Sequence, residues 1–279
     1  MASKKIVVLY HNNCPDGFGA AWAAWKKFGN RASYIGVNRG EPLPSGLRGK
    51  DVYTLDYCHE EPFFSELKRR ASRLIILDHH ITRKDAIMTA NDHRFSLDHS
   101  GAIIAWAYFH PGKRPPRLLQ HIEDYDLWRF RIRHTRAVSA ILSTYPFDFK
   151  VRDRVAKDFE NPKKRSEFIK QGYAILKYQE RVVERNVSTA AIVEFCGYRV
   201  LATNSSILRS EIGGALAEKK GPFGIVWSMR DGKIVVSLRS RKGFDVGSIA
   251  ARFGGGGHKH AAGFLFPVKN KFPWKNTRK

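Results

Sequence analysis

The chain has 279 residues, 43% of them hydrophobic and 12% aromatic, and 49 Lys and Arg against 26 Asp and Glu give a formal net charge of +23. That apolar content supports one or more packed cores and excludes wholesale disorder. No apolar run approaches the roughly 18 residues of a membrane-spanning helix, the N-terminal apolar stretch is too short for a signal peptide, and Cys14, Cys58 and Cys196 are too few and scattered for a disulfide framework.

A soluble, cytoplasmic protein with reduced thiols and no membrane contact is therefore expected. The positive excess suits a polyanionic partner. It is concentrated late in the chain, where residues 191–279 carry 16 basic and 5 acidic side chains. A basic, solubilising surface is the plainer alternative.

Residues 5–10 form a β-rich apolar run, followed by a polar turn and a helical pattern over 17–28. The same order recurs twice. A strand over 52–55 ends at Asp56 before a helix near 62–71, and a strand over 73–77 ends at Asp78 before another helix. Such alternation predicts a parallel sheet with helices on both faces, whose ligands gather at the carboxyl ends of its strands. His11, Asp56, Asp78, His79 and His80 all fall there.

Residues 101–145 read as helical, interrupted by a loop at 111–116, and 163–187 reads as one long charged helix. Strands resume over 191–195, 198–202, 224–228 and 233–238, the last two joined at Arg230, Asp231 and Gly232 by a hairpin signal. The fold class is α/β, with four expected parts: a parallel-sheet N-terminal domain (1–130), a helical connector (131–190), a smaller α/β domain (191–268) and a loose basic tail (269–279).

Four clusters, His11/Asp16, Asp56, Asp78-His79-His80 and Asp124/Asp126, lie far apart in sequence, yet three share equivalent strand ends. Carboxylates gathered in one cleft repel unless cations separate them. Mixed oxygen and imidazole donors suit manganese or a similar ion, and two such ions would clamp a phosphoryl oxygen and activate water.

Residues 11–21, Leu55-Asp56, Leu77-Asp78-His79-His80 and the stretch 123–128 resemble the four N-terminal motifs of the DHH phosphoesterase superfamily. Residues 245–264, with Gly254 to Gly257 and His258, resemble the glycine-rich signature of the DHH-associated domain, and the oligoribonuclease-like branch is the nearest in pattern. The resemblance implies two manganese ions, with magnesium or cobalt as alternatives, held by His11, Asp16, Asp56, His79 and Asp124. It implies that His80 faces the scissile phosphate and that Asp78 orients the histidine pair. One position departs from the pattern: Cys14 stands where the family usually has a second aspartate, either as a spectator or as the mark of a site preferring another metal. Asp126 is the alternative to Asp124.

The glycine run allows backbone N–H groups to approach an anion closely. Gly255, Gly256, Gly257 and His258, with Arg239 beside them, are the expected substrate-binding residues; Arg241 and Lys242 serve equally well as solvated charges. Trp22, Trp25 and Trp106 read as core residues. The expected activity is hydrolysis of short single-stranded RNA or DNA, or of linear dinucleotides, to 5′-mononucleotides from the 3′ end. Its rivals are a phosphatase acting on a 3′-phosphoadenosine nucleotide or polyphosphate, and a nucleic-acid-binding protein whose catalysis has weakened. Monomer and homodimer remain equal expectations.

Overall fold

The computed structural model describes residues 4–38 and 40–276. Two compact units divide at Leu176 and Lys177. The first runs β1 (Ile6–His11), α1 (Pro15–Phe28), β2 (Ala32–Val37), β3 (Asp51–Leu55), α2 (Phe63–Arg70), β4 (Arg73–Asp78), α3 (Lys84–Met88), β5 (Asp92–Phe95), α4 (Gly101–Phe109), α5 (Arg117–Asp126), α6 (Thr135–Leu142) and α7 (Phe149–Glu160). The helix α8 (Pro162–Ser188) then runs on into the second unit. There follow β6 (Ala191–Phe195), β7 (Tyr198–Asn204), α9 (Arg209–Lys219), β8 (Phe223–Arg230), β9 (Lys233–Ser240), α10 (Val246–Ala251), β10 (Gly256–His258), β11 (Ala261–Pro267) and β12 (Lys275–Asn276).

In the first unit the strands order as β2-β1-β3-β4-β5, every neighbouring pair parallel. The strands are apolar at consecutive positions because both faces are covered. Val8, Leu55, Ile75 and Leu77 meet α1, α4, α5, α6 and α7 on one side, whereas Val7, Leu9, Val52, Leu74 and Ile76 meet Phe64, Leu67 and Ile87 on the other. Trp22 of α1 stacks on Trp106 of α4 at 5.7 Å, and Trp25 on Phe149 at 5.7 Å, so all three tryptophans belong to this packing.

The stretch 131–190 is not a separate connector. Val138 and Leu142 of α6 and Val155, Ala156 and Phe159 of α7 are buried in the first core, with Phe168 and Ile169 of α8 against them. Further along α8, Val183 and Val187 pack on Leu201, Ile212 and Leu216 of the second unit. An amphipathic helix can serve two cores in succession, and its sequence carries no mark of the changeover.

The second unit is a mixed sheet ordered β10-β11-β9-β8-β7-β6-β12, in which only β7 and β8 run parallel. One face packs on α10 through Val246, Ile249 and Ala250, the other on α9 through Ile212 and Leu216. The expected loose tail is fastened as far as Asn276, and residues 277–279 lie outside the described residues. Phe272 meets Trp227 and Trp274 at 4.9 Å each, Trp274 meets Phe195 at 5.9 Å, and β12 pairs with β6. Aromatic anchors without periodicity leave no strand or helix signature. Among the described residues no helix is long and apolar enough to cross a membrane.

Trp274→Ala is expected to lower the unfolding free energy of the second unit by about 2 kcal/mol, since a half-buried aromatic contact is lost. Chemical denaturation followed by near-UV dichroism would measure it; an unchanged midpoint would mean that the anchor is ornamental.

Candidate metal centre

Because β1, β3 and β4 are parallel and in register, His11, Asp56 and Asp78 emerge together at the carboxyl ends of the strands. Asp56 takes a left-handed backbone (φ 54°) directly after its strand, a conformation a non-glycine residue holds only when its surroundings impose it. Its carboxylate is the hub. Oδ2 lies 3.3 Å from His11 Nδ1 and accepts the Cys14 thiol at 3.7 Å, while Oδ1 lies 3.1 Å from His79 Nε2 and 4.0 Å from His80 Nδ1.

Asp16 enters from the first turn of α1 and Asp126 from the end of α5, 3.6 Å from His79 Nε2. Potential ligand atoms of Asp16, His79 and Asp126 all lie within 4.8 Å of one another, and so do those of His11, Cys14 and Asp56. Asp16, Asp56 and His79 are each no more than 2% exposed. Asp16 Oδ1 accepts the Ala102 amide at 3.1 Å, but its buried Oδ2 has no hydrogen-bond partner. Gly101 opens α4 against this pair: a Cβ there would stand 2.5 Å from Asp56 Cβ and 2.9 Å from Asp16 Oδ2. Only glycine leaves the carboxylates their space.

The electrostatics are those of a crowded acidic cleft. Burial, followed by the charges of Asp126 and Asp56, pushes the Asp16 carboxyl well above its usual range. Burial would push Asp56 up as well, but its contacts with His11 and His79 win and hold it well below. For His79 burial pulls downward, and Asp56, with Asp126 and Asp16 behind it, overcomes this and lifts the imidazole to about 10. Burial and the same three carboxylates keep the Cys14 thiol protonated. Without a cation, His79 itself carries the compensating proton. A desolvated set of carboxylates, an imidazole and an orphaned carboxylate oxygen fits a divalent metal better than it fits a proton.

Asp78 stands behind the histidines. Its Oδ1 accepts the amides of His79 (2.7 Å) and His80 (3.3 Å) and contacts His80 Nδ1 at 2.6 Å. Burial depresses His80 and this carboxylate outweighs it, leaving the ring with raised basicity.

Asp124, the residue expected at the fourth motif, is elsewhere. Its Oδ1 accepts the Arg131 amide at 2.8 Å, and its Oδ2 accepts the Ile132 amide at 3.1 Å and the Thr135 hydroxyl at 2.6 Å, with His121 Nδ1 2.9 Å beyond that hydroxyl. It organises the turn after α5. Two residues on, the helix has rotated by about 200°, and Asp126 is the carboxylate that faces His79. The donor-rich turn at 131–135 was the signal for this division of labour.

The glycine run is also tighter than a loop. Gly254 and Gly255 donate their amides to Ala251 and Ala250 at the end of α10, and a Cβ on Gly255 would stand 2.1 Å from the Gly263 carbonyl. Gly256, Gly257 and His258 form the edge strand β10. The Gly255 amide is thus committed to the helix instead of to an anion. His258, Ala261 and Arg239 occupy one row across β10, β11 and β9, on the face that carries α9. Arg239 Nη2 donates to Ser210 Oγ at 2.8 Å. Arg241 donates to the carbonyls of Ala217 and Glu218 and caps α9 while staying exposed to solvent.

A family profile described as the DHHA1 domain matches residues 192–273. An uncharacterized protein, R106, of Acanthamoeba polyphaga mimivirus is 30% identical over 298 aligned residues, covering 97% of this chain and 70% of the relative. Among solved structures, the pGpG-specific phosphodiesterase PggH from Vibrio cholerae superposes with a TM-score of 0.51 at 12% identity, covering 95% of this chain and 94% of its own. The DHH domain of a protein assigned to a family of ribosomal proteins gives 0.52 at 13% identity, covering 94% and 82%. Both share the fold.

Asp126→Asn should abolish manganese-induced stabilisation while leaving the melting temperature of metal-free protein nearly unchanged. Asp124→Asn should do the reverse, costing about 2 kcal/mol as a buried acceptor of three hydrogen bonds is weakened. Calorimetric melts with and without Mn2+ distinguish them, and equal effects would undo the assignment. Because binding must displace the proton held on His79, manganese affinity should rise between about pH 6 and 9. The metal-free protein, whose raised His79 pKa stabilises it fully below about pH 6.5, should lose that contribution as pH climbs toward 10. Titration calorimetry at several pH values would show the coupling, and a flat profile would contradict it.

Proposed function

Since the chain belongs to the DHH phosphoesterase superfamily and ends in a DHHA1 domain, we propose that it is a metal-dependent phosphodiesterase acting on short oligonucleotides or linear dinucleotides. The observation that carries this reading is the Asp16, Asp56, His79 and Asp126 cluster, with its unpartnered Asp16 oxygen. In this proposal Asp56 is shared between two cation sites, one completed by His11 and the other by Asp16, His79 and Asp126. Divalent ions there, manganese by the choice of oxygen and imidazole donors, supply the Lewis acidity and water activation that phosphodiester hydrolysis needs.

The chain's own groups do the remaining work. Asp78 fixes the His80 ring through Nδ1 and raises its basicity, so His80 offers positive charge to phosphoryl oxygens as charge develops on them. Cys14 donates its thiol hydrogen to Asp56 Oδ2 and orients that carboxylate, a role that asks nothing of a soft ligand. The left-handed turn at Asp56 and the absence of a Cβ at Gly101 hold the carboxylates apart from the backbone.

A nucleotide polyanion suits the +23 charge, and a dinucleotide is supported by the activity in the name of PggH, whose fold this chain shares. Arg239 and His258, on one face of the second sheet, are the groups we assign to a substrate phosphate.

In manganese, a 5′-phosphorylated dinucleotide is expected to be hydrolysed to 5′-mononucleotides in preference to adenosine 3′,5′-bisphosphate. A competition assay read by chromatography decides between them, and preference for the bisphosphate would transfer the protein to the phosphatase reading. His79→Ala should lower turnover by about a hundredfold or more. Undiminished turnover in this variant would move the metals elsewhere.

A further inference from the structure

Residues 128–136 read Trp-Arg-Phe-Arg-Ile-Arg-His-Thr-Arg, with four arginines set among aromatic side chains and no acidic one. Trp128 is 46% exposed, and Arg131, Arg133 and Arg136 are exposed as well. No carboxylate among the described residues pairs with these three arginines. The Trp128 ring meets Tyr125 at 5.4 Å and Phe130 at 4.8 Å, and the Arg136 guanidinium lies over Phe130, 4.3 Å from its centroid. Aromatic faces and unopposed cations thus share one stretch of surface.

Arginines that serve solubility alone need no fixed backbone, and this backbone is fixed. Asp124 holds it twice: its carbonyl accepts the Arg129 and Phe130 amides at 2.9 and 3.4 Å, and its carboxylate accepts those of Arg131 and Ile132. Trp128, Phe130 and His134 are all left-handed (φ 53°, 51° and 73°), a strain that the contacts around them must sustain. His134 Nδ1 meets the Tyr173 hydroxyl of α8 at 2.9 Å and so secures the far end. The near end adjoins the candidate centre. Trp128 follows Asp126 by two residues, which puts their Cα atoms no more than about 7 Å apart. Arg129 donates to the Asp98 carbonyl at 2.9 Å, three residues before the Gly101 that abuts Asp16 and Asp56.

We infer that residues 128–136 dock single-stranded nucleic acid, with a base stacked on Trp128 and phosphates met by Arg131, Arg133 and Arg136. A rigid aromatic surface beside a row of cations holds a strand without regard to sequence, because every base offers a face and every nucleotide a charge. The net charge of +23 draws any polyanion near, whereas this segment gives the strand a fixed place next to the centre. An oligonucleotide longer than a dinucleotide is the fitting occupant. That the held strand is also the one cleaved rests on the phosphodiesterase reading; that it is held does not.

The test uses the full-length protein without metal and a fluorescein-labelled oligoadenylate of about eight nucleotides, followed by anisotropy. Trp128→Ala should bind it about tenfold more weakly, and Trp128→Phe nearly as well as wild type, since a ring restores the stacking face. Arg131→Gln combined with Arg133→Gln should flatten the dependence of log affinity on log salt by about 1.4, the share of two phosphates on a single strand. Lys68→Gln combined with Arg69→Gln, an equal loss of charge on α2 across the sheet, should change affinity little. Each variant should keep the manganese-induced rise in melting temperature, which reports folding. No binding by the wild type, wild-type affinity in Trp128→Ala, or an equal loss in the two paired variants would overturn the inference, and the arginine pair decides it if Trp128→Ala does not fold. In manganese, the ratio of KM for the longer strand to KM for a dinucleotide should rise in the arginine pair; an unchanged ratio would mean that the docked strand does not lead to the centre. Should no strand be hydrolysed by any form, the phosphodiesterase reading fails while the anisotropy still decides the docking surface.

Discussion

Asp16, Asp56 and Asp126 come from three separate parts of the chain, and in a desolvated cleft their repulsion has to be offset by positive charge. At about 4 Å two unit charges at an effective dielectric of about 20 interact by roughly 4 kcal/mol, so the arrangement cannot persist as three bare carboxylates. In the absence of metal the offset comes from His79, whose imidazole keeps its proton far above the ordinary range, and the Asp16 carboxyl, raised by burial and its neighbours, relieves the rest. The geometry of the first unit serves this meeting: a parallel sheet brings the strand ends together, α1 and α4 point their N-termini at the same spot, and the left-handed Asp56 turns the hub into it. Helix N-termini carry partial positive charge, which lowers the cost of the carboxylates further.

The parts legible in the sequence were those set by strand periodicity. Apolar runs ending in His11, Asp56 and Asp78 imply coincident strand ends once the strands are parallel, and the histidine pair follows directly. Asp124 against Asp126 was not decidable in this way. Both lie near the end of a helix on opposing sides, and which one faces the centre depends on the turn at 131–135, where three donors compete for one carboxylate. The glycine run was legible as a place of close approach, but not as the end of α10 and a sheet edge, because that depends on the Gly263 and Phe264 backbone it is pressed against.

The division at Leu176 and Lys177 was illegible for a related reason. The helix α8 packs the partly buried Phe168 and Ile169 against one core and Val183 and Val187 against another, so its pattern gives no boundary. The short edge strand β2, whose inner positions are half-buried, and the aromatic anchors Phe272 and Trp274 likewise lack the alternation that marks a half-buried strand.

The pairing of β12 with β6 has a bearing on solubility. A sheet edge left open offers a row of backbone donors and acceptors to any other extended chain. Here one margin is closed by the strand the aromatics pin down, and the opposite margin is a three-residue piece rich in glycine. Proteolytic trimming back to Phe272 would therefore uncover a five-residue template, and self-association, more than loss of the centre's chemistry, would be its first consequence.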